Sequence, residues 1–499
     1  MMRARLTIDP ATAIGPVRRR TFGSFVEHLG RAVYTGVYEP DHPESDEDGF
    51  RRDVLDLVRE LGVSTVRYPG GNFVSGYRWE DGVGPREERP SRLDLAWHSL
   101  EPNQFGTDEF MAWAKKAGIE PMMAVNLGTR GILEAVDLVE YCNVARGSHG
   151  AERRIANGFV EPHRVRMWCL GNELDGPWQI GHKTAAEYGR IAAETARAMR
   201  MIDPDLELVA CGSSGRDMPT FGEWERVVLS EAHEQVDMIS AHAYYWEKES
   251  GLQELLVSAE DMDRFIAEVG AVIDAVAAGT KSTKEIGISF DEWNVWYIDR
   301  DPSRPPTGDD WPVAPRLLED NYSVADAVVV GNLLISLLRN TDRVWSANQA
   351  QLVNVIAPIM TEPGGPAWTQ TTFHPFALTS HHARGDVLRV AVDAPTIETF
   401  RFGPVPALDA VATWSADSAS LFVVNRHTTG GITASIEVPG GCLLGDAVTL
   451  SHHDPNWKAS TTEDSRSVVR ANESAHLTGT TLTIELPPVS WTMVVLTPP

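Results

Sequence analysis

The sequence predicts an α/β protein: a (β/α)8 TIM barrel followed by a C-terminal all-β sandwich of the jelly-roll type, which the N-terminal segment joins. Between about residues 21 and 351, eight short β-prone runs alternate with segments of helical period. After about residue 375 the helical period disappears, and alternating runs are separated by turns rich in Gly, Pro and Asn. At 499 residues the chain is also long enough for two or three units.

These patterns divide the chain into three parts. We expect an N-terminal strand segment at residues 1–18, the barrel at 19–374 and the sandwich at 375–499. Ala4, Leu6 and Ile8 alternate with polar residues as on a half-buried strand, which favours a first strand that crosses over to the sandwich.

The predicted barrel strands are short apolar runs, and several of them end in polar residues. They are residues 21–26, 63–68, 121–126, 165–170, 206–211, 237–243, 286–291 and 344–347. The helices between them have their own signals. An apolar stripe recurs at helical spacing from Phe50 to Leu61. Thr184 with Glu187, and Ser323 with Asp326, are capping pairs that open two further helices.

Charge and cysteine usage exclude several classes of protein. Asp and Glu total 70 against 44 Lys and Arg, so the formal charge of -26 repels nucleic acids and anionic membranes, and we expect neither as a partner. The four cysteines, widely spaced and without a CxxC pair, are expected to be buried thiols. Because no run resembles a signal-peptide core or reaches membrane-spanning length, we expect a cytoplasmic protein.

Two glutamates stand at equivalent places on predicted strands. The run from Val165 leads into Gly-Asn-Glu173 at the end of strand four, and the run from Ile286 leads into Asp-Glu292 at the end of strand seven. The carboxyl ends of barrel strands meet at one face of the barrel. A retaining glycosidase requires two carboxylates about 5 Å apart at such a site. Taken singly, each glutamate is an ordinary solvated residue at a strand–helix junction.

Other polar and aromatic residues converge on the same face. Strand one ends at Glu27, strand two at Arg67 before Pro-Gly-Gly-Asn72, strand six at His242-Ala-Tyr244, and strand eight is followed by Gln351. Asn172 precedes Glu173 and is placed to bond a sugar hydroxyl. Three tryptophans, Trp178, Trp293 and Trp296, offer flat surfaces for sugar rings.

Three long blocks of the sequence resemble those of glycoside hydrolase family 51 α-L-arabinofuranosidases. They begin at Arg67 (RYPGGNFVSGYRWEDG), Trp168 (WCLGNELDGPWQ) and Ala350 (AQLVNVIAP). The resemblance implies a (β/α)8 barrel with a C-terminal β-sandwich, a retaining double displacement, no metal or organic cofactor, and a homo-oligomer, often a hexamer.

The resemblance also implies a role for individual residues. Glu173 matches the acid/base and Glu292 the nucleophile. The matches for substrate-binding or supporting residues are Glu27, Arg67, Asn72, Trp97, Asn172, Trp178, Tyr244, Trp296 and Gln351. We add His242 to this set because of its position at the end of predicted strand six. The implied activity is exo-acting hydrolysis of terminal α-L-arabinofuranosyl residues from arabino-oligosaccharides derived from arabinan or arabinoxylan.

Three alternatives stay open at this stage. An endo-β-1,4-glucanase or β-xylosidase would use the same two carboxylates, since related barrels differ in their loops. A non-catalytic sugar-binding or scaffold protein would bind without turnover. A metal hydrolase would need ligands that the adjacent pairs His381-His382 and His452-His453 do not offer at helical HExxH spacing. We also expect the loop from residue 300 to 315, which follows strand seven, to shape the leaving-group side of the site.

Overall fold

The computed structural model describes residues 2–248, 250–298 and 304–499. Eight parallel strands close into a barrel, which confirms the predicted fold class. In chain order they are Gly23–Phe25, Thr65–Tyr68, Glu120–Ala124, Met167–Cys169, Glu207–Ala210, Met238–Tyr245, Gly287–Val295 and Val344–Gln349, named below barrel strands one to eight. Each overlaps one of the eight predicted runs.

Helices surround the barrel and pack their apolar faces on it. They are Arg52–Leu61, Thr107–Ala117, Ile132–Asn143, His149–Ala156, Ala185–Ile202, Glu223–Ala232, Leu252–Leu255, Ser258–Thr280, Val324–Arg339 and Phe373–His382. Both predicted capping pairs form. The Thr184 hydroxyl accepts from the Glu187 backbone N–H, and the Ser323 hydroxyl accepts from that of Asp326. In Arg52–Leu61 the residues that face inward include Val54, Val58 and Leu61, as the stripe predicts.

The C-terminal part is a ten-stranded sheet around a second core cluster. Its order across the sheet is Val469–Ala471, Leu443–Leu450, Ser490–Thr497, Ala419–Asn425, Leu408–Trp414, Asp386–Asp393, Met2–Pro16, Ile432–Glu437, Thr481–Leu486 and His476–Thr478. The N-terminal strand Met2–Pro16 lies in the middle, antiparallel to Asp386–Asp393 and parallel to Ile432–Glu437. Its alternating residues Leu6 and Ile8 are buried, so the predicted crossover of the first residues is confirmed.

Smaller elements complete the chain. Three two-stranded hairpins pair Arg92–Asp94 with Ser99–Glu101, Ile359–Thr361 with Ala367–Thr369, and Thr396–Thr399 with Gly403–Pro406. Short 3-10 helices occur at Arg19–Phe22, Asn72–Gly76, Trp79–Gly82, Arg86–Glu88 and Ser465–Val468. All four cysteines are free and buried, as predicted. Over the described ranges, every helix is too short or too polar to cross a bilayer.

Candidate active site

The carboxyl ends of the barrel strands surround one cavity of about 680 Å³. Ten of the twelve predicted site residues line it: Glu27, Asn72, Trp97, Glu173, Trp178, His242, Tyr244, Glu292, Trp296 and Gln351. The two others are buried and bond to lining residues: Arg67 donates to Glu292, and Asn172 donates to Asn72. The convergence follows from the parallel topology, because every strand ends at the same face of the barrel.

Glu173 follows barrel strand four in a segment whose backbone conformation is unusual. Its φ is +44°, in the left-handed region that non-glycine residues rarely adopt, and Gly171 two residues earlier has φ +101°. One carboxylate oxygen, Oε1, lies 2.8 Å from Nδ1 of His242, and Oε2 accepts from the Trp178 indole N–H at 3.0 Å. Burial raises the pKa of Glu173, and the charge of Glu292 raises it further, against the lowering effect of the two hydrogen-bond partners.

Glu292 lies opposite, on barrel strand seven, and both of its oxygens are bonded. Arg67 donates to Oε1 at 2.7 Å and the Tyr244 hydroxyl donates to Oε2 at 2.6 Å. Arg67 also donates to the side-chain carbonyl of Asn172, so one buried guanidinium holds two predicted site residues in place. The arrangement fixes the carboxylate and leaves its charge paired.

The two glutamates are close enough to act on one sugar. One carboxylate oxygen of each, together with a His242 nitrogen, forms a group whose atoms all lie within 4.8 Å of one another. Retaining glycosidases have carboxyl groups about 5 to 5.5 Å apart, whereas inverting enzymes need about 6.5 to 9.5 Å to admit a water. The spacing is therefore that of a double displacement.

His242, within barrel strand six, lies close to three carboxylates. Its Nδ1 faces Glu173 at 2.8 Å and is 3.7 Å from Glu292, and its Nε2 faces Asp291 at 2.9 Å. Burial lowers the pKa of His242, but Glu292, Asp291 and Glu173 together raise it to about 10. The three carboxylates therefore favour the cationic form of the ring.

Glu27, two residues after barrel strand one, also lines the cavity. Its Oε1 accepts from the backbone N–H of Phe73 at 2.9 Å and from the Trp97 indole at 3.0 Å, and its Oε2 accepts from the Gln351 amide at 3.2 Å. Burial raises the pKa of Glu27 to about 8, even though the Phe73 and Trp97 bonds act to lower it. Trp97 reaches this position from the turn of the hairpin that joins Arg92–Asp94 to Ser99–Glu101.

Aromatic side chains form the walls of the cavity, with one exception to the prediction. Trp178 is 52 % exposed, and Trp296 contacts the Tyr244 ring edge to face with centroids 5.0 Å apart. Trp293 is fully buried and does not line the cavity, so the prediction that it offers a surface to sugar is wrong. A bulge in barrel strand seven turns this side chain into the core.

The loop from residue 300 to 315 reaches the same cavity. Residues 300–303 lie outside the described residues, but Arg304 and Pro305 line the cavity wall. The Trp311 ring stacks on His98 with centroids 3.7 Å apart, and the Pro312 carbonyl accepts from the Leu100 backbone N–H. This loop and the Trp97 hairpin therefore support one another at the cavity.

Two further residues, Asp291 and Gly71, belong to the site, and no role was predicted for Asp291. Asp291 lies beneath His242, and its second oxygen is 3.7 Å from the Cys169 thiol. At Gly71 a Cβ atom would lie 3.1 Å from Oε1 of Glu292, so any side chain there would press on that carboxylate. The Pro69-Gly-Gly71 sequence was the signal for the close approach, whereas Asp291 gave none.

The same group of atoms has a spacing that a metal ion would also tolerate. Glu173, His242 and Glu292 would supply two oxygens and one nitrogen. However, both His242 nitrogens face carboxylate oxygens at hydrogen-bond distance, and the Arg67 guanidinium already pairs with Glu292. Hydrogen bonds and ion pairs are sufficient to account for the arrangement.

Comparison with known proteins identifies related chains. A family model described as an alpha-L-arabinofuranosidase 1 domain matches residues 57–265, and one described as an alpha-L-arabinofuranosidase C-terminal domain matches residues 291–490. An intracellular exo-alpha-(1->5)-L-arabinofuranosidase from Streptomyces lividans is 56 % identical over 99 % of this chain and 75 % of its own length.

Two proteins from Bifidobacterium longum are also similar. An exo-alpha-(1->6)-L-arabinofuranosidase is 54 % identical over 98 % of this chain and 97 % of its own length. The solved structure of AbfB, described as a family 51 alpha-L-arabinofuranosidase, is 49 % identical, covers 99 % of each chain and superposes with a TM-score of 0.95.

Proposed function

The chain belongs to the α-L-arabinofuranosidases of glycoside hydrolase family 51, and we propose that it removes terminal α-L-arabinofuranosyl residues from arabino-oligosaccharides by a retaining double displacement with Glu173 and Glu292. The separation of these carboxylates, at most 4.8 Å between their nearest oxygens, is the observation that carries the proposal.

In the first step Glu292 attacks the anomeric carbon while Glu173 protonates the departing oxygen. Glu292 suits the nucleophile because Arg67 and Tyr244 hold both of its oxygens in a fixed orientation. Glu173 suits the acid because burial and a neighbouring negative charge raise its pKa. The products of this step are the released leaving group and an arabinosyl ester of Glu292.

In the second step the roles of Glu173 reverse. Its carboxylate, now without a proton, takes one from water, and the water attacks the anomeric carbon of the ester. The bond to Glu292 breaks, and arabinose leaves with its original configuration. Because Glu173 needs a proton in one step and must lack it in the next, the groups that bond it have a direct influence on the rate.

The sugar itself is held by the polar residues around the cavity. We propose that Glu27, Asn72 and Gln351 of the cavity lining bond the furanose hydroxyls, with His242 and Tyr244 beside the reacting centre and Trp97, Trp178 and Trp296 as apolar walls. We propose that Asn172, which donates to the Asn72 side chain, also bonds the sugar. The burial of Glu27 and its four hydrogen bonds, to Phe73, Trp97 and Gln351, support a role in fixing the ring.

The relatives narrow the activity but leave the linkage open. The two curated relatives compared above are both named exo-arabinofuranosidases, which favours this activity over the endo-β-1,4-glucanase or β-xylosidase alternative. One is named for 1->5 and the other for 1->6 linkages at nearly equal identity. We therefore propose that the linkage is selected by the leaving-group side of the cavity, where Arg304 and Pro305 lie.

The relatives bear on location as well. Several of these relatives are named intracellular enzymes. Their names support the proposal that this enzyme acts in the cytoplasm on short imported oligosaccharides. A homo-oligomer, in particular a hexamer, stays a prediction from the family resemblance, and light scattering on the purified protein tests it.

Proton NMR of the reaction on linkage-defined arabino-oligosaccharides tests the proposed function. We expect α-L-arabinofuranose as the first product, released from the non-reducing end, with mutarotation to the other forms following later. The matched control is Glu292→Gln, which keeps the size of the side chain and removes the nucleophile. First release of the β-anomer, release of internal fragments, or full activity of the control would contradict the proposal.

A further inference from the structure

Asp291 is a buried acid that has no part in the proposed reaction, although it adjoins the nucleophile. On a regular strand, neighbouring side chains point to opposite faces. In barrel strand seven, however, Ser289 pairs with Ser240 and Glu292 pairs with His242, so three steps along this strand oppose two along barrel strand six. This is a β-bulge, and it lets the carboxylates of Asp291 and Glu292 approach the same histidine.

His242 joins Asp291 to Glu173. Its Nε2 lies 2.9 Å from Oδ1 of Asp291, and its Nδ1 lies 2.8 Å from Oε1 of Glu173. Asp291 and His242 are 1 % and 2 % exposed, so water does not compete for these bonds. Other charged or titratable groups near the ring or its carboxylate partners are Glu292, Arg67, Tyr244 and Cys169.

This geometry makes the protonation of Glu173 depend on His242. With Asp291 ionised, Nε2 carries a proton and donates it to that carboxylate. A second proton then lies either on Nδ1, which donates to an ionised Glu173, or on Glu173, which donates to Nδ1. A negative charge that stabilises the cationic imidazole favours the arrangement with the proton on Nδ1. It therefore favours the ionised form of Glu173.

We propose that Asp291 is a positioning residue that acts through His242 to set the protonation of Glu173 for its two opposite tasks. The inference rests on the proposed function, since it assumes that Glu173 is the acid/base. Asp291 fixes the ring by its bond to Nε2 and supplies the negative charge that keeps the ring cationic. The cation in turn stabilises the Glu173 carboxylate that must accept a proton from water.

Replacing Asp291 by Asn tests the inference. Without the charge, His242 is held less firmly as a cation, and Glu173 keeps its proton to higher pH. The direct repulsion between Asp291 and Glu173 also disappears, and this change alone would lower the pKa of Glu173. It is the weaker effect, because the imidazole ring separates the two carboxylates. We expect the alkaline limb of the pH profile of kcat/KM to move up by about one pH unit.

The measurement uses 4-nitrophenyl α-L-arabinofuranoside and the full-length enzyme. Cys169→Ser is the matched control, because it changes the other contact of Asp291 and leaves the charge. We expect its alkaline limb to stay where it is in the unmodified enzyme. If D291N does not fold, His242→Gln removes the same cation and is expected to move the limb in the same direction. A limb that stays in place in these variants, with only the rate reduced, would overturn the inference.

The profile of Glu173→Ala separates this inference from the proposed function. If Glu173 is the acid/base, its removal abolishes the alkaline limb on the nitrophenyl substrate. An unchanged limb in E173A would refute the assignment of Glu173 itself, and the inference with it. Loss of the limb in E173A together with an unmoved limb in D291N would overturn only the role of Asp291.

Discussion

Replacing Glu173 by Gln isolates the contribution of one proton. In the structure both oxygens of Glu173 are bonded, Oε2 by the Trp178 indole and Oε1 facing His242. A glutamine amide can keep both contacts, since its oxygen accepts from Trp178 and its N–H group donates to a neutral His242. The variant therefore keeps the shape of the site and loses the transferable proton. General acid catalysis contributes about 10²- to 10⁴-fold, which corresponds to about 2.7 to 5.4 kcal/mol of barrier.

The loss depends on the leaving group. For alkyl arabinofuranosides and oligosaccharides, whose leaving oxygens need a proton, we expect kcat/KM to fall by about 10² to 10⁴. For 2,4-dinitrophenyl arabinofuranoside, which leaves without a proton, we expect kcat/KM to change little, and kcat to fall because hydrolysis of the ester lacks its base. Steady-state kinetics over a series of leaving groups measures both effects, and thermal unfolding of the variant controls for stability. Equal losses over the whole series would refute the reasoning.

Three further predictions follow from the contacts of the site. Tyr244→Phe removes a hydrogen bond to a buried carboxylate, worth about 1.5 to 3 kcal/mol, so kcat/KM should fall about 10- to 150-fold. Tyr245→Phe, which removes only a 3.5 Å contact with Asp261, should lose far less, and equal losses would argue against the role of Tyr244. Burial raises the pKa of Glu27 from 4.5 to about 8. Between pH 4.5 and about 8, Glu27 therefore holds a proton in the native state that it loses in the unfolded chain. Stability should therefore fall as pH rises from about 4.5 to about 8, and thermal unfolding of Glu27→Gln should show a smaller fall; an identical slope would contradict the effect. Prolonged dialysis against EDTA should leave kcat/KM unchanged, whereas loss of activity restored by a divalent metal would favour the metal-hydrolase alternative.

The barrel was predictable because its strands have a strong local signal. Runs such as 165–170 and 286–291 are apolar and alternate with helical segments, and eight such βα units are typical of a closed parallel barrel. Once the barrel is predicted, the polar strand ends must share one face. This is why Glu27, Glu173 and Glu292, though far apart in sequence, were predicted together and lie around one cavity.

Features that depend on register or on long-range pairing were not predictable. The bulge in barrel strand seven brings Asp291 to His242 and turns Trp293 into the core, and a pattern of single residues gives no sign of an extra residue in a strand. In the same way, alternation predicted that residues 4–8 form a strand. It did not predict that this strand runs parallel to Ile432–Glu437, because alternation fixes the buried face and not the neighbour.

The configuration of azide adducts tests most directly whether the two glutamates act from opposite sides of one sugar. Glu292→Ala and Glu173→Ala are each incubated with 2,4-dinitrophenyl α-L-arabinofuranoside and sodium azide, and the arabinosyl azides are identified by proton NMR. We expect the β-azide from E292A, because azide replaces the nucleophile in a single inversion, and the α-azide from E173A, because azide attacks the ester formed with Glu292. The same configuration from both variants, or the two configurations exchanged, would contradict the assignment.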